Sequence, residues 1–421
     1  MKLLVIGHGC DPNTGSEPGM TWNWAYRLAK THTVHLIAHP HSRDAVEAYL
    51  RNHPNHGLHL NWVTVPARLD PWDPNIGSRG IKLHYIIWLR RAFLFARRLH
   101  RGLEFDLVHH VGWGTVSVAS PFWKLGIPLV WGPLGGGQIT PKALISVYGE
   151  AAMLERLRTV RIAALRFSPS LRKSVSKASL LLATNRETRD VLGKLGARRV
   201  ELLPDSGIPK AYIPAGVHDR SRHKGLTLLW AGRIIPLKCL ELALRSVAAV
   251  HPRYSVKLIV AGDGSDRPRC EELVTNLQIG DRVEFRGKVD WKRMPSLFVE
   301  GDAFLFTSVR ESFGSVVLEA MSYGLPVVSL DLGGVATFCP SEAVIKVPSS
   351  SPEETVGRFA SAIVTLHDSE SLRLRMSFAA RRAASLHTWE DRVSQMTERY
   401  ASLLEEATLS RCGEVELRCE S

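Results

Sequence analysis

Residues 311–319, Glu-Ser-Phe-Gly-Ser-Val-Val-Leu-Glu, follow a short apolar run and are predicted to open a helix near Gly314. A glycine at a helix start lets the backbone approach a ligand, and the free N–H groups of the first turn form a site for phosphate. Carboxylates stand at both ends of the stretch, at Glu311 and Glu319. The pattern suits a ligand with phosphate at one point and hydroxyl groups on either side, which describes a sugar nucleotide.

Two cations precede this stretch. In residues 230–238, Trp-Ala-Gly-Arg-Ile-Ile-Pro-Leu-Lys, Arg233 comes just after a predicted strand, and Lys238 lies at the head of a predicted helix over 241–250. Together they could neutralise a diphosphate, because guanidinium and ammonium groups are common partners of phosphate oxygens. Taken singly, each could also have no role in ligand binding, since an arginine after a strand is often structural and a lysine at a helix start is usually solvated.

Short apolar runs alternate with longer helical patterns along the chain, as parallel strands covered by helices do. The predicted strands are 2–7, 34–38, 107–110, 128–131 and 180–183 in the first half, and 226–231, 257–261, 283–286, 303–306 and 326–329 in the second. We therefore predict an α/β protein of two doubly wound parallel-sheet domains, residues 1–205 and 206–407, connected through 204–225. The last helix could pack back on the first domain, and the weak apolar periodicity of residues 408–421 predicts a disordered tail.

In this order, the motifs of the second half resemble the signature of glycosyltransferase family 4. The resemblance covers residues 226–334 and rests on the following segments: Ala-Gly-Arg at 231–233, Lys238, Val-Ala-Gly-Asp-Gly at 260–264, Phe-Arg-Gly at 285–287, the two glutamates, Gly-Leu-Pro-Val-Val at 324–328, and Gly-Gly at 333–334. It implies a GT-B fold, in which two Rossmann-like domains face each other across a cleft. It also implies a metal-independent, configuration-retaining transfer of a sugar, expected to be a hexose, from a nucleoside diphosphate sugar.

The resemblance also implies a role for each residue of the motifs. Arg233 and Lys238 would bind the diphosphate, Glu319 would bind the ribose hydroxyl groups, and Glu311 would face the donor sugar. The start of the helix would join the diphosphate and sugar contacts through its backbone, at Gly314, Ser315 and Val316.

A glycine-containing loop leads from the first predicted strand into a helix. Residues 12–25, Pro-Asn-Thr-Gly-Ser-Glu-Pro-Gly-Met-Thr-Trp-Asn-Trp-Ala, contain Gly15, Ser16 and Glu17, and such loops bring backbone amides to phosphate or sugar. The spacing is not Gly-x-Gly-x-x-Gly, so it does not indicate a nicotinamide cofactor. The loop resembles the Gly-Ser-Glu-x-Gly loop of a bacterial branch of the same family that builds cell-surface polysaccharides, which implies that these three residues contribute to the donor site.

Two consecutive histidines end another predicted strand of the first half. A histidine at such a place is more often a satisfied core residue, but the family has an active-site histidine near this strand. The resemblance therefore implies that His109 or His110 reaches the sugar; His109 aligns with the family's Asp-x-x-His pattern, and His110 or a neighbour is the alternative. The loop at 131–138, which contains three consecutive glycines, is either a ligand loop or only a tight turn.

No pattern in the sequence places a catalytic base beside a nucleophile, and there is no Gly-x-Ser-x-Gly elbow. This fits the front-face reaction usually described for the family, in which the departing diphosphate oxygen accepts the proton of the acceptor. The enzyme then contributes positioning and cationic stabilisation of the leaving group. The predicted catalytic set consists of Glu311, Arg233, Lys238, His109 and His110.

The net charge of +13 lies entirely in the first half of the chain. Residues 1–205 carry 27 basic and 14 acidic side chains, whereas the remainder carries 27 of each. Residues 79–101, which begin at Arg79, hold seven basic side chains and no acidic one. On a helical wheel, Ile87 and Leu94 lie among a set of clustered arginines: Arg90, Arg91, Arg97, Arg98 and Arg101.

This basic segment leads to a hypothesis about the acceptor. A basic helix with apolar side chains in its charged face can lie on an anionic membrane leaflet, from which the enzyme would reach a lipid-linked acceptor. The bland alternative is a packed surface helix with a solvated basic face. We expect a glycan or lipid-linked acceptor in surface polysaccharide or glycolipid assembly.

Composition narrows the remaining possibilities. The six cysteines show no Cys-x-x-Cys spacing, the sequence shows no histidine cluster that would complete a zinc site, and there is no Asp-x-Asp pair, so we expect neither a metal nor a cofactor. Neither a signal-peptide core nor a membrane-spanning run is found, which favours a cytoplasmic protein, at most peripheral on the inner face of the plasma membrane. The alternatives are a nucleotide-sugar epimerase on the same fold and a nucleic-acid-binding protein. The latter is disfavoured because no nucleic-acid module accompanies the charge.

Overall fold

A computed structural model describes residues 1–15, 17–73, 79–216 and 225–419, with side chains up to residue 409. The first domain contains a parallel sheet in the order β3-β2-β1-β4-β5-β6-β7. Its strands are β1 (Lys2–Ile6), β2 (Thr33–Ala38), β3 (Leu58–Trp62), β4 (Leu107–His110), β5 (Leu129–Leu134), β6 (Leu180–Ala183) and β7 (Val200–Leu202). Its helices are α1 (Glu17–Leu28), α2 (Arg43–Asn52), α3 (Ile81–Leu103), α4 (Ala152–Ala164), α5 (Pro169–Lys177) and α6 (Arg186–Lys194).

The second domain contains a parallel sheet in the order β10-β9-β8-β11-β12-β13. Its strands are β8 (Leu226–Ala231), β9 (Val256–Ala261), β10 (Val283–Gly287), β11 (Ala303–Phe306), β12 (Val327–Leu330) and β13 (Val344–Val347). The helices of this half are α7 (Leu240–Ala249), α8 (Arg267–Asn276), α9 (Met294–Glu300), α10 (Ser315–Ser322), α11 (Gly333–Phe338), α12 (Pro352–Asp368), α13 (Glu370–Ser385) and α14 (Trp389–Cys419). The prediction of an α/β protein with two doubly wound parallel sheets is confirmed.

Helices cover both faces of each sheet, which explains why the central strands are almost wholly apolar. Successive side chains of a strand point to opposite faces. Leu3 and Val5 of β1 therefore pack in the cluster that contains Trp24 of α1, whereas Leu4 and Ile6 pack in the cluster that contains Trp88 of α3. The second sheet divides its side chains between two clusters in the same way.

Three strands that the sequence did not predict lie at the outer parts of the sheets. β3 (Leu-His-Leu-Asn-Trp) and β7 (Val-Glu-Leu) are the two edges of the first sheet, and β13 (Val-Ile-Lys-Val) is an edge of the second. Each is short or carries polar side chains, because an edge strand is partly exposed. The ten predicted strands coincide with the remaining strands, including the edge strand β10, to within a few residues at each end.

The chain crosses between the domains twice, and the two crossings touch. Ile208 forms a parallel bridge with Thr388, in which the Ile208 N–H donates to His387 and the Trp389 N–H donates to Ile208. After the second crossing, α14 packs on α1 of the first domain. α14 continues as a helix to Cys419, and the disordered tail expected from residue 408 stays a prediction.

The surface of the first domain carries the basic helix expected from the sequence. The five clustered arginines of α3 are exposed, as is Leu94, but Ile87 is partly buried and packs on the core. Leu83 and Ile86 stand on the exposed face instead.

The side chains of Cys10, Cys239, Cys270 and Cys339 are buried and unpaired. In the described part of the chain, no helix combines the length and apolar character needed to cross a membrane.

Candidate active site

The predicted helix near Gly314 begins at that residue. Gly314 is the N-cap of α10 and has a φ of 89°, in the left-handed region that favours glycine. A Cβ atom at this position would lie 2.5 Å from Cζ of Phe306, so no other residue fits without a shift of the Phe306 ring. The backbone of Ser315 and Val316 follows at the first turn, where N–H groups lack helical partners.

Lys238 and Glu311 form an ion pair beside the start of α10. Lys238 ends a short 3-10 turn before α7, and its backbone carbonyl accepts a hydrogen bond from the Thr307 hydroxyl, 3.0 Å away. This bond ties the lysine to the end of β11. Arg233 follows β8 and is exposed, and among the described residues its side chain has neither an ion pair nor a hydrogen bond. A free guanidinium and a paired ammonium therefore stand at the same sheet edge.

Glu319 lies deep in the cleft, with 8% of its surface exposed. It accepts a hydrogen bond from the Trp291 indole at 3.2 Å, and burial raises its pKa to about 7. Gly15 of the first domain approaches the same point, because a Cβ on it would lie 3.5 Å from the Glu319 carboxylate and 3.3 Å from the Trp291 indole nitrogen. The N-terminal loop and the predicted ribose-binding glutamate are thus brought together; Ser16 lies outside the described residues.

Two further carboxylates line the junction between the domains. Glu17, at the start of α1, accepts a hydrogen bond from the Gly114 N–H at 3.0 Å, and burial raises its pKa to about 7. Burial and the neighbouring Glu311 raise the pKa of Asp205 to about 6, against the lowering effect of Arg392 and Lys238. Burial lowers the pKa of Arg392 to about 9, an effect that Asp205 opposes. The site is therefore rich in acidic groups that lose their usual hydration.

The loop at 131–138 belongs to the cleft and is more than a tight turn. Gln138 donates to the Ser312 hydroxyl at 3.2 Å, and Asn185 donates to the Ser312 carbonyl at 3.0 Å. At Gly135, a Cβ would lie 2.2 Å from the Ser312 hydroxyl oxygen, so only glycine allows this approach. The two domains therefore meet at the same stretch, 311–319, on which the sequence prediction rested.

The structure places His109 and His110 in the core, with 0% and 1% of their surfaces exposed. They are consecutive residues of a strand and point to opposite faces of the sheet. His109 bonds the Gly132 carbonyl at 2.8 Å and the Tyr400 hydroxyl at 2.6 Å. His110 lies 3.2 Å from the Tyr85 hydroxyl and 3.0 Å from the Ser120 hydroxyl. Burial lowers the pKa of His109 to about 4 and that of His110 to about 3.

These contacts describe two satisfied core residues. Each imidazole nitrogen has a protein partner, and neither ring is exposed at the cleft. A catalytic role for either histidine stays a prediction that the contacts do not support. The physical reason is the position of β4 inside the sheet, where helices cover both faces.

Sequence reasoning missed Asp205, Trp291 and Arg392. Trp291 lies on a 3-10 turn after β10 and reaches Glu319 only because the chain folds back. Arg392 of α14 donates to the Pro204 carbonyl at 2.5 Å, across the domain boundary. The one signal available in the sequence was Asp205 itself, an acidic residue directly after a proline at the predicted end of the first domain.

Comparison with known proteins agrees with this geometry. Residues 218–383 match the family model described as glycosyl transferases group 1. The second half thus carries a group 1 domain. The Anabaena protein Alr3699/HepE, solved in complex with UDP, is 18% identical and aligns over 96% of this chain and 100% of that chain, with a TM-score of 0.61. The fold around the group 1 domain is therefore GT-B, as predicted.

Two curated relatives share part of the sequence. A phosphatidylinositol N-acetylglucosaminyltransferase component from Arabidopsis thaliana is 29% identical over 227 residues, which are 53% of this chain and 48% of that protein. The D-inositol 3-phosphate glycosyltransferase of Salinispora arenicola is 29% identical over 252 residues, which are 54% of this chain and 55% of that protein. The chain spans about half the length of the curated relatives it matches.

Proposed function

We propose that this protein is a glycosyltransferase of family 4 that moves a hexose from a nucleoside diphosphate sugar to a glycan or lipid-linked acceptor. The transfer retains the configuration of the donor carbon and needs no metal at the diphosphate. The proposal is carried by two contacts along α10: the Lys238–Glu311 ion pair lies beside its start, and Gly15 of the first domain approaches Glu319 farther along the helix. The group 1 domain supports it.

Different residues of the cleft bind different parts of the donor. The free N–H groups of the first turn of α10 bind phosphate oxygens, which a helix N-terminus favours. Arg233 and Lys238 neutralise the diphosphate as it leaves, so that negative charge develops beside two cations. Glu319 accepts hydrogen bonds from the ribose. Glu311, released from Lys238 when the diphosphate arrives, then bonds the hydroxyl groups of the donor sugar.

The acceptor proton goes to the departing diphosphate oxygen. The bond between the sugar carbon and that oxygen breaks, the acceptor oxygen bonds to the same carbon on the same face, and the proton of the acceptor moves to the leaving oxygen. No protein base is required for this step. The contribution of the protein is to hold acceptor and donor in contact, which converts a bimolecular encounter into an intramolecular one.

A thermal-shift panel identifies the donor without knowledge of the acceptor. UDP, GDP, ADP and their sugars are compared at equal concentrations, and a ligand that binds the folded state raises its melting temperature. We expect one nucleotide series to raise it clearly. The panel contradicts the proposal if no nucleoside diphosphate shifts the transition at millimolar concentration.

Measuring the turnover of variants tests whether Arg233 and Lys238 stabilise the leaving diphosphate or are only surface charges. Arg233→Ala and Lys238→Ala are expected to lower kcat/KM by at least about 100-fold, the range found when one group that stabilises developing charge is removed. Arg245→Ala is the matched control, because Arg245 forms only an exposed ion pair with Glu241 on α7. Near-wild-type turnover in both site variants would remove the assignment. Addition of Mg²⁺ or Mn²⁺ should leave the rate unchanged.

The acceptor side is proposed to bind an anionic membrane surface through two helices of the basic domain. On α3, Leu83, Ile86 and Leu94 are exposed among the arginines of residues 79–101. On α4, the exposed apolar side chains lie along one side, at Met153, Leu154, Leu157 and Val160. The other side of α4 holds Arg158, which donates to the Gln138 and Gly136 carbonyls of the cleft loop. An apolar face with basic neighbours suits a lipid interface.

Flotation with liposomes tests the membrane contact. Wild-type protein is expected to float with vesicles that contain anionic lipid, and less so as salt is raised, because salt screens the charge attraction. Leu157→Ser and Arg97→Glu should each weaken flotation, whereas Arg245→Glu on the second domain should not. Binding that is equal for neutral and anionic vesicles, or absent, would contradict the proposal. Peripheral attachment to the inner face of the plasma membrane follows only if flotation is seen.

One observation favours the epimerase alternative: Glu17 and Asp205 are carboxyl groups with raised pKa values at the same cleft. Such groups could move protons to and from carbon. Product analysis separates the reactions: a transferase releases a free nucleoside diphosphate and needs an acceptor, whereas an epimerase converts one nucleotide sugar into another without acceptor. We expect the first result.

A further inference from the structure

Three histidines that are far apart in the sequence lie together in the first domain. His8 follows β1, His39 follows β2, and His84 lies in the first turns of α3. One ring nitrogen of each lies within 4.8 Å of those of the other two. The sequence predicted no histidine cluster, and the structure corrects this point, because the carboxyl ends of neighbouring parallel strands meet at one edge of the sheet.

The spacing of the three rings matches a shared ligand. Their centroids are 5.2 Å apart for His8 and His39, 5.0 Å for His8 and His84, and 5.0 Å for His39 and His84. Three imidazoles on one tetrahedral zinc ion, each at about 2.0–2.1 Å, place their centroids roughly 5 Å apart. The Nε2 atoms of His8 and His84 are already 2.9 Å apart, so an ion between them needs only a small shift.

An acidic residue bonds the ring of His84 at the nitrogen that faces away from the other two histidines. Asp70 Oδ1 lies 2.6 Å from Nδ1 of His84, and it also accepts the backbone N–H of Trp72 at 3.0 Å. A carboxylate on the second nitrogen of a histidine fixes its tautomer and leaves the first nitrogen free to bind a metal. Asp70 thus orients His84 Nε2 toward the other two rings.

Aromatic side chains surround the cluster, and one of its ring nitrogens has no partner among the described residues. Trp88, Tyr85 and Trp72 pack around His8, with ring centroids 5.0, 5.7 and 6.1 Å from it. The buried Nδ1 of His39 has no hydrogen-bond partner among the described residues.

We infer that His8, His39 and His84 form a binding site for one divalent transition-metal ion, with Asp70 as the positioning residue. Neutral imidazole is a ligand that zinc, copper, nickel and cobalt all accept. Among the described residues no fourth side chain of a metal-binding type joins the group, so the fourth position is open to water. The ion links the ends of β1 and β2 to α3. This site is separate from the diphosphate site, and it holds whether or not the proposed transfer is correct.

Titration of metal-free protein with Zn²⁺ tests the inference directly. The protein is first freed of metal with a chelator and dialysed, and Zn²⁺ is then followed by calorimetry and by the shift in melting temperature. We expect one ion per chain with a dissociation constant below about 1 μM, and a Co²⁺ form with the visible absorption of a tetrahedral site. Failure of the wild-type protein to bind Zn²⁺ at 10 μM would overturn the inference.

Variants distinguish this site from adventitious binding by surface histidines. His39→Gln should fold, since His39 is only half-buried and its Nδ1 bonds nothing described, and it should bind Zn²⁺ at least 100-fold more weakly. Asp70→Asn should weaken binding by about 10- to 100-fold, the usual effect of a lost outer-shell partner. His59→Gln, at an exposed histidine of β3 outside the cluster, is the control and should bind as wild type. Equal affinity of wild type and His39→Gln would overturn the inference.

Discussion

At the scale of single residues, the cleft keeps carboxylates in surroundings that disfavour their charge. Glu319 has its pKa raised from 4.5 to about 7 by burial. The folded protein therefore holds a proton on Glu319 up to about pH 7, whereas the unfolded chain releases it near pH 4.5. The free energy of unfolding consequently falls as pH rises through this window. A bound ribose would offset this loss of stability by donating hydrogen bonds to the charged carboxylate.

Replacing Glu319 by glutamine should raise stability and lower affinity at once. At pH 8, Glu319→Gln is expected to unfold with a free energy on the order of 2 kcal/mol higher than wild type, because the buried charge is gone. At pH 5 the difference should shrink to less than about 1 kcal/mol, since the folded carboxyl group is then neutral and only the unfolded chain is ionised. Affinity for the donor nucleotide should drop about 10- to 100-fold with the loss of a charged hydrogen-bond acceptor.

Denaturant unfolding at pH 5 and pH 8, together with calorimetric titration of the nucleotide, measures both effects. Glu272→Gln, at an exposed glutamate of α8, is the control and should change neither. An equal gain in stability at both pH values would show that the charge of Glu319 is not the cause.

The glycine at the start of α10 gives a second residue-scale prediction. Gly314→Ala must hold a φ of 89° and place a methyl group against Phe306, so we expect a loss of about 1–3 kcal/mol in unfolding free energy. Gly357→Ala is the matched control. Gly357 lies exposed inside α12 with open space around it, and alanine there should stabilise by about 0.5–1 kcal/mol. Thermal unfolding of the two variants gives both signs in one experiment.

The sequence predicted these residues to different degrees. Gly314, Lys238 and Glu319 were found because they stand in a short local motif whose chemistry depends on spacing along the chain. Asp205 and Trp291 have no such motif, since their roles arise from residues far away in the sequence. The family resemblance implied a catalytic role for His109 or His110. Their burial on opposite faces of β4 favours the alternative that the sequence also allowed, in which they are core residues with satisfied hydrogen bonds.

At the scale of elements, α14 is the helix that connects the end of the chain to the core of the first domain. Its Tyr400 is fully buried and bonds His109 at 2.6 Å. Tyr400→Phe keeps the ring and removes the hydroxyl, which leaves the His109 nitrogen unpaired. We expect a loss of about 1–3 kcal/mol in unfolding free energy, with donor affinity and kcat unchanged.

Equilibrium unfolding and turnover of Tyr400→Phe decide between two roles for His109. Lower stability with normal turnover agrees with a core residue. A large fall in kcat with an altered pH profile and unchanged stability would instead place His109 in the chemistry.

Among the elements, the central strands were predictable, whereas three of the four edge strands were not. β6, β8 and β11 coincide with their predicted ranges because both faces are buried and the sequence is almost wholly apolar. β4 coincides as well, although it ends in two buried histidines. β3 and β13 carry polar residues where a face meets solvent, so their pattern resembles that of a loop. Residues beyond 407 show little apolar periodicity, so no pattern in them predicts how far α14 extends.

At the scale of the whole molecule, side-chain contacts join the two domains across the cleft. One of them is the ion pair of Arg310 with Glu155, whose nearest atoms are 3.0 Å apart. Glu155 is almost fully buried and also accepts the Thr140 hydroxyl at 2.8 Å. An ion pair that spans two domains contributes to closure directly, because opening the cleft separates its partners.

Arg310→Ala is expected to shift the free protein toward an open cleft. Small-angle X-ray scattering should show a larger radius of gyration than wild type, and the donor nucleotide should restore the compact value while its KM rises. Arg286→Ala, which removes an exposed pair with Glu300 within the second domain, should leave the radius unchanged. Identical scattering for wild type and Arg310→Ala would contradict the prediction.

The arrangement of the whole chain was predictable only in outline. Two domains followed from the repeated strand-helix pattern and the connection at 204–225, whereas the cleft between them was implied by the family resemblance. The histidine cluster and the pairing of the two crossings depend on residues that are tens to hundreds of positions apart, which no local pattern reports.

The bridge between Ile208 and Thr388 makes the protein tolerant of a broken backbone. Because the chain passes between the domains twice, a single cut after Gly216 would sever one crossing and leave the other intact. The fragment that begins after the cut would still insert α14 into the first domain, with Trp389, Met396 and Tyr400 in its core. A nicked molecule would thus remain one particle, its two halves interlocked, and would separate only on denaturation.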